Sequence, residues 1–391
     1  MALVLGMALA VSAAGCGDDD GSSGGATAPS EGEGTTVASE PGSVASEVSS
    51  SSMGSGTTDA NAATDATRPT TASSSQPATN DGEWDAVVAA AGEEGSVTIY
   101  SAQPLDPLNA MVDRFEQAYP DINVDIARLT DGDLGAKIEV EKQSGQYLAD
   151  MWVTSSQTLI EPKAAEGGWM VPPTGPGFNA EGYLPEYLHD GGPFEVGAAL
   201  LTFGWNTAQY PSGLEDYTGL LDPELAGGRI AVIDANCCPA AVDFYLYLEE
   251  TYGVDFVEQL AAQEPLIYPS ALPIGEALGS GEVAAAAFTL PLTTQMAAGA
   301  PVDFGLAETT WGTRFLGALV DGAPHPNAAQ VLANFMVSAD AQEVLAKDQS
   351  AVLPDIPGAL TTNDRVRVQD PTALTPEKVA EYQAHWNKMF K

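Results

Sequence analysis

Apolar positions recur at helical spacing over residues 84–91, Gly92 and Gly95 close that run, and Val97-Thr98-Ile99-Tyr100 follows as a short buried strand. Leu108, Met111, Val112, Phe115 and Tyr119 stand three or four apart, which predicts a helix stopped by Pro120; residues 122–126 make the next strand. Strand, helix and strand in that order imply a right-handed crossover and a parallel sheet. The alternation continues, with helices expected over 134–143, 158–166, 240–252, 254–263 and 328–337, and strands over 150–153, 198–205, 229–233, 283–288 and 315–320. No internal repeat is visible. The class is α/β. In open sheets of that class ligands sit beyond the carboxyl ends of the strands, so the loops there are the place to look for function.

Ahead of residue 81 the pattern is absent. Residues 17–80 contain no Leu, Ile, Phe, Tyr or Trp and are dominated by Ser, Thr, Gly, Ala and acid, so they cannot bury enough surface to offset their ordering entropy. This predicts a disordered tether, roughly 45 Å in root-mean-square span as a flexible coil. Before it, the apolar stretch from Met1 to Ala14 runs into Ala13-Ala14-Gly15-Cys16 and then into Asp18-Asp19-Asp20. It is too short to span a bilayer and reads as an export signal over residues 1–16. These residues resemble a bacterial lipoprotein signal, which implies cleavage before Cys16 and a lipid on that cysteine.

Composition narrows the functions open to the chain. With 14 Lys+Arg against 54 Asp+Glu in 391 residues, the formal net charge is −40, which disfavours nucleic acid and anionic lipid surfaces as partners. Three cysteines supply neither a disulfide framework nor a cysteine-based zinc module. From residue 81 onward no Gly-x-Ser-x-Gly elbow, phosphate-binding Gly-x-x-x-x-Gly-Lys loop or His-Glu-x-x-His motif occurs, and His189, His325 and His385 are scattered, so no enzyme is expected.

Several segments together resemble the type II solute-binding proteins of ABC importers, in particular the branch that includes ferric-iron binders. They are Glu94-Gly95-Ser96-Val97-Thr98-Ile99-Tyr100-Ser101, the stretch from Phe115 to Val124 around Tyr119-Pro120-Asp121, Ala149-Asp150-Met151-Trp152, Leu221-Asp222-Pro223 leading to Gly228-Arg229-Ile230, Ser280-Gly281-Glu282-Val283, Gly299-Ala300-Pro301-Val302, and Ala323-Pro324-His325-Pro326-Asn327. The resemblance implies an α/β fold of two lobes, each a mixed, mostly parallel sheet flanked by helices, that close over a small solute like a hinged trap. It assigns residues 81–201 and 308–350 to lobe 1, and residues 202–307 and 351–391 to lobe 2, with crossings near 201–206 and 306–311. It also implies a membrane permease as partner, an extracytoplasmic place anchored to the cell membrane, and action as a monomer.

Ferric members of the family hold iron with a His, a Glu and two adjacent Tyr. On this chain the resemblance sets the His position at Pro104, the Glu position at Ser155 and the Tyr pair at Pro291 and Leu292. Hard trivalent iron needs anionic oxygen donors, so iron held by a tyrosine pair is disfavoured and neither metal nor cofactor is expected. A small polar or cationic organic solute is favoured. The alternatives are iron or an iron chelate held without tyrosine, a secreted hydrolase, and a structural surface lipoprotein.

The candidate ligand contacts are the uncharged hydrogen-bonding groups of the strand-end loops: Ser101, Gln103, Thr130, Ser155, Ser156, Asn236, Ser270 and Thr289. Helix capping is the bland alternative for each of the Ser, Thr and Asn residues. Tyr268 and Trp311 are expected as a stacking wall, with Trp152 and Trp205 as further aromatic candidates and Glu308 or Asp234 as carboxylates for a cation. Cys237-Cys238, ahead of Pro239 and a helix, is either a vicinal disulfide on the cleft wall or a pair of small residues at the start of that helix. Adjacent Cα atoms stand about 3.8 Å apart, short of the usual disulfide range of roughly 4.4–6.8 Å, so such a bond is strained and easily reduced.

Overall fold

The computed structural model describes residues 81–391, so the expected lipid site at Cys16 and the tether over 17–80 lie outside the described residues. The chain opens with α1 (Asp81–Glu94), β1 (Ser96–Ser101), α2 (Leu105–Ala118), β2 (Asn123–Arg128), α3 (Asp131–Ser144), β3 (Met151–Thr154), α4 (Gln157–Glu166) and the short β4 (Met170–Val171). Helix α2 buries Leu108, Met111, Val112 and Phe115, the stripe its spacing predicts. Thr130 caps α3 by accepting from the Asp133 N–H, and Gly145 ends it in the left-handed region at φ 66°. Strand β1 pairs in parallel with β2 on one side and β3 on the other.

Residues 198–205, expected as one strand, are two. Strand β5 (Phe194–Leu200) belongs to one sheet and β6 (Thr202–Asn206) to another, and the chain crosses at Leu201, whose N–H donates to Trp311 O at 3.2 Å. Both strands are buried almost throughout, so no change in hydrophobicity marks the crossing. The second body continues with β7 (Ile230–Ile233), α5 (Pro239–Tyr252), α6 (Phe256–Ala261), β8 (Leu266–Tyr268), α7 (Ala271–Ser280), β9 (Ala285–Thr289), α8 (Thr293–Ala297) and β10 (Val302–Gly305). Helix α7 escapes a periodicity reading because Pro273, Gly275 and Gly279 interrupt its apolar stripe. Residues 306–311 lead back to β11 (Gly312–Val320), and α9 (Pro326–Met336), α10 (Ala339–Leu345), β12 (Ser350–Ala351), β13 (Thr361–Thr362) and α11 (Pro376–Phe390) complete the chain.

Among the described residues the strands form two sheets, one of eight strands in the order β13-β12-β5-β11-β3-β1-β2 with β4 on β11, the other of five in the order β10-β6-β9-β7-β8. Each has a parallel centre, β2-β1-β3 and β8-β7-β9, to which the strands next to the crossings add antiparallel pairs. Each also has its own core: Ile99, Met111, Phe115, Val153 and Phe335 pack with the first, and Phe203, Tyr217, Phe244, Tyr245, Tyr247 and Trp311 with the second.

Of residues 351–391, which the family resemblance sets in the second lobe, those up to Val366 pack with the larger sheet instead, and residues from Arg367 on turn to the smaller one. Strands β12 and β13 pair within the larger sheet, and Val366 joins Ala198 and Leu200. Buried Asn363 holds them by donating to Glu195 Oε2 at 2.8 Å and accepting from Ser350 Oγ at 2.6 Å. Val379 and Trp386 of α11 then enter the core of the smaller sheet. No helix among the described residues is long and apolar enough to cross a membrane.

Candidate functional site

A cavity of about 650 Å³ is lined by residues carried on both sheets. From the larger come Gln103, Pro104, Asp106, Pro107 and Ala110 after β1, residues 196–199 of β5, Phe315 of β11, and Val344, Leu345, Lys347, Asp348 and Gln349 at the end of α10; from the smaller come Leu290, Pro291, Thr293 and Thr294 after β9. The loops from β1 and β9 both follow carboxyl ends of strands, the position that α/β topology favours for a ligand.

Three local devices shape this cavity. Ser101 Oγ accepts from the Gln103 main-chain N–H at 3.1 Å and donates to Gln103 Oε1 at 3.5 Å. Arg128 Nε donates to the Gln103 carbonyl at 2.8 Å. The buried Gln103 side chain is thus oriented, and its amide N–H groups have no partner among the described residues. On β11 a register shift falls between Phe315 and Leu316; such bulges re-aim side chains, and Phe315 faces the cavity opposite Gly197. A Cβ on Gly197, whose φ is 143°, would stand 3.1 Å from the Ser350 carbonyl. The third device is the turn after α10, where Asp348 holds a φ of 59° and donates its N–H to Gly358 O at 2.8 Å. Gln349 Oε1 then accepts from Leu200 N at 2.7 Å, which ties this turn to the end of β5.

The candidate residues are spread more widely than the sequence suggests. Gln103 lines the cavity and Ser101 supports it from below. Thr130 and Ser156 cap α3 and α4, and the Ser155 hydroxyl donates to Asp131 Oδ2 at 2.5 Å. Thr289 is buried with its hydroxyl 2.7 Å from that of Thr202, while Ser270 is exposed ahead of α7 and makes no capping bond. Tyr268 ends β8, its hydroxyl pushed up to about 12 by burial and by Glu282. Asn236, Cys237 and Cys238 occupy an exposed loop after β7, where Asp234 lies below the usual carboxylate range because hydrogen bonds from Asn236 and Lys391 outweigh its burial.

Trp311 is not a wall of this cavity. It is buried in the core of the smaller sheet, 5.6 Å from the Phe288 ring, and its Nε1–H is satisfied by donating to Asp243 at 2.8 Å. Trp152 is likewise buried, edge-on to Trp169, and Trp205 lies against Phe203.

Asp106, Phe315, Thr293, Thr294, Lys347 and Asp348 are the lining residues that sequence reasoning missed. Asp106 was within reach, three residues past Gln103 in the same loop. Phe315 and Asp348 were not, since a bulge and a left-handed turn leave no periodic mark. Pro104 and Pro291, the positions at which the resemblance sets a metal-binding His and Tyr, both line the cavity. Among the described residues no three His, Cys, Asp or Glu side chains are grouped so as to hold a metal ion.

Residues 97–348 match the family model of the bacterial extracellular solute-binding proteins. The structure resembles a substrate-binding protein of an ABC transporter from Agrobacterium tumefaciens, at 18% identity over 76% of this chain and 94% of that one, with a TM-score of 0.58. Iron-bound HitA from Pseudomonas aeruginosa is similar at 18% identity, 75% and 99% coverage and a TM-score of 0.57, and a ferric binding protein from Campylobacter jejuni at 16%, 75%, 98% and 0.51. At these identities the likeness is one of fold, the two-lobed type II periplasmic binding protein. Among curated proteins none matches the chain.

Proposed function

Since the chain belongs to the bacterial extracellular solute-binding proteins, and is thus a transport component and not an enzyme, we propose that it captures a small polar or cationic organic solute in the cavity between its sheets and hands it to a membrane permease. In this reading Cys16 carries the lipid, residues 17–80 give reach above the membrane, and the protein works as a monomer. The observation that carries it is the lining itself. Val196, Ala198, Phe315, Val344 and Leu345 offer an apolar floor, while the Gln103 amide, Thr293 and Thr294 offer neutral hydrogen bonds. Asp106 and Asp348 add two carboxylates against the one ammonium of Lys347, and the face of Phe315 suits a cation. A phosphate ester would meet more negative than positive charge there, and an isolated ferric ion would find no anionic oxygen beyond those two side chains.

Native mass spectrometry of protein purified without denaturation tests this. A retained organic solute is expected, lost on Gln103→Ala. Retained iron or phosphate, or a solute held equally well by the variant, would refute it.

A further inference from the structure

Loop 234–238, between β7 and α5, presents two adjacent thiols. Cys237 and Cys238 are both exposed, and their Sγ atoms stand 3.1 Å apart, inside ordinary sulfur–sulfur contact. The loop around them is held firmly. Asn236 and Asn387 exchange two amide hydrogen bonds, each 3.0 Å, Gln383 donates to Ala235 O at 2.9 Å, and Lys391 reaches Asp234 at 3.1 Å. Helix α11 thus fixes the backbone on one side while the sulfurs face solvent on the other. Because β7 and β9 run parallel as neighbours, the loop leaves the smaller sheet at the same end as cavity residues 290–294.

We propose that Cys237 and Cys238 form a reversible oxidation site, a dithiol that an extracytoplasmic peroxide converts to a vicinal disulfide. One thiolate attacks a peroxide oxygen, the O–O bond breaks, and the sulfur becomes a sulfenic acid as the peroxide leaves as alcohol or water. The second sulfur displaces that hydroxyl, which departs as water with the remaining thiol proton, and the S–S bond closes. Two thiols are oxidised by two electrons and one peroxide is reduced. Both sulfurs are exposed and in contact, so whichever is oxidised first lies within reach of the other. The short Cα separation of adjacent residues makes the product readily reducible by a thiol, which is what a switch requires and a structural crosslink does not. Closure stiffens the start of α5.

The test uses the full chain treated with hydrogen peroxide, then alkylated before and after reductant and read by peptide mass. Expected is a Cys237–Cys238 peptide lighter by two hydrogens that takes no label until reduced and then takes two. Hydrogen exchange at residues 236–240 should slow in the oxidised protein and stay unchanged by peroxide in the Cys237→Ser, Cys238→Ser double variant. Two labelled thiols after peroxide, oxygen added to either sulfur without ring closure, or disulfide-linked dimers would each overturn the proposal.

Discussion

Asp243 offers a test of how the crossing segments are fixed to the smaller body. It lies on α5, fully buried, and accepts from Trp311 Nε1 at 2.8 Å, Arg367 Nη1 at 2.8 Å and Gln369 Nε2 at 3.1 Å. Tyr247, one turn on, donates to Thr309 O at 2.8 Å. Two passages of chain between the sheets, around 309–311 and 365–369, are therefore pinned to one helix. Asp243→Ala leaves the enclosed indole N–H unsatisfied, which alone costs about 1–3 kcal/mol. It also strips Arg367 of its buried partner, and the remaining contact to the exposed Glu250 compensates little. Together the loss should reach about 3–5 kcal/mol, the range for breaking one side of a buried ion pair. Asp243→Asn keeps an acceptor for Trp311 and should lose distinctly less. Urea unfolding followed by tryptophan fluorescence reads this as a lowered midpoint at unchanged slope. A midpoint shift worth under about 1 kcal/mol for the alanine variant would show that these bonds do not secure the crossings.

Further consequences follow from the buried polar groups and from the cavity wall. Burial opposes ionisation of Glu195, yet hydrogen bonds from His189, Arg314 and Asn363 hold its carboxyl below the usual range. Its contribution is therefore complete above its unfolded value of about 4.3 and fades as pH falls through the lower folded value. Glu195→Gln should accordingly destabilise at pH 7 and narrow its gap to the parent as the solution is acidified below about 4, as urea midpoints across pH will show. A Cβ on Gly317 would lie 2.5 Å from Phe194 Cζ, so Gly317→Ala should cost about 1–3 kcal/mol by overpacking, measurable as a lower thermal midpoint. Asp348→Ala should lose about 1 kcal/mol or more, because alanine tolerates the left-handed turn poorly, while Asp348→Asn should stay within about 0.5 kcal/mol in urea and still hold a cationic solute less well by native mass spectrometry.

What could be read from the sequence was whatever leaves a periodic or chemical mark. The apolar spacing of α2 and the buried run of β1 both did so. The split at Leu201 did not, because both flanking strands are buried and a change of sheet alters no hydrophobic period. Helix α11 did carry a signal, with Thr375 as cap, Pro376 at its first position and Val379 and Trp386 on its buried face, yet it is isolated from any strand that would have drawn attention to it. At the site, Ser and Thr mislead in a consistent way. The groups that satisfy a helix N-terminus are the same groups that bind a polar solute, so Thr130 and Ser156 cap helices while the amide of Gln103, which caps nothing, is left for the cavity.

The two prolines on the cavity wall stand apart from the interactions that hold the strands in place. Pro104 precedes α2 with no side-chain cap, and Pro291 precedes α8; neither supports the sheets by a hydrogen bond or a buried ring. What secures the geometry lies elsewhere, in the Ser101 bond to Gln103, in the Thr202–Thr289 hydroxyl pair beside the crossing, and in two separate apolar cores. Positions that carry no structural load can change side chain without disturbing the strands that aim them. In the proposed reading the guest is selected by what these walls present, the Gln103 amide, the Asp106 and Asp348 carboxylates and the Phe315 face, since a shared fold does not fix a ligand.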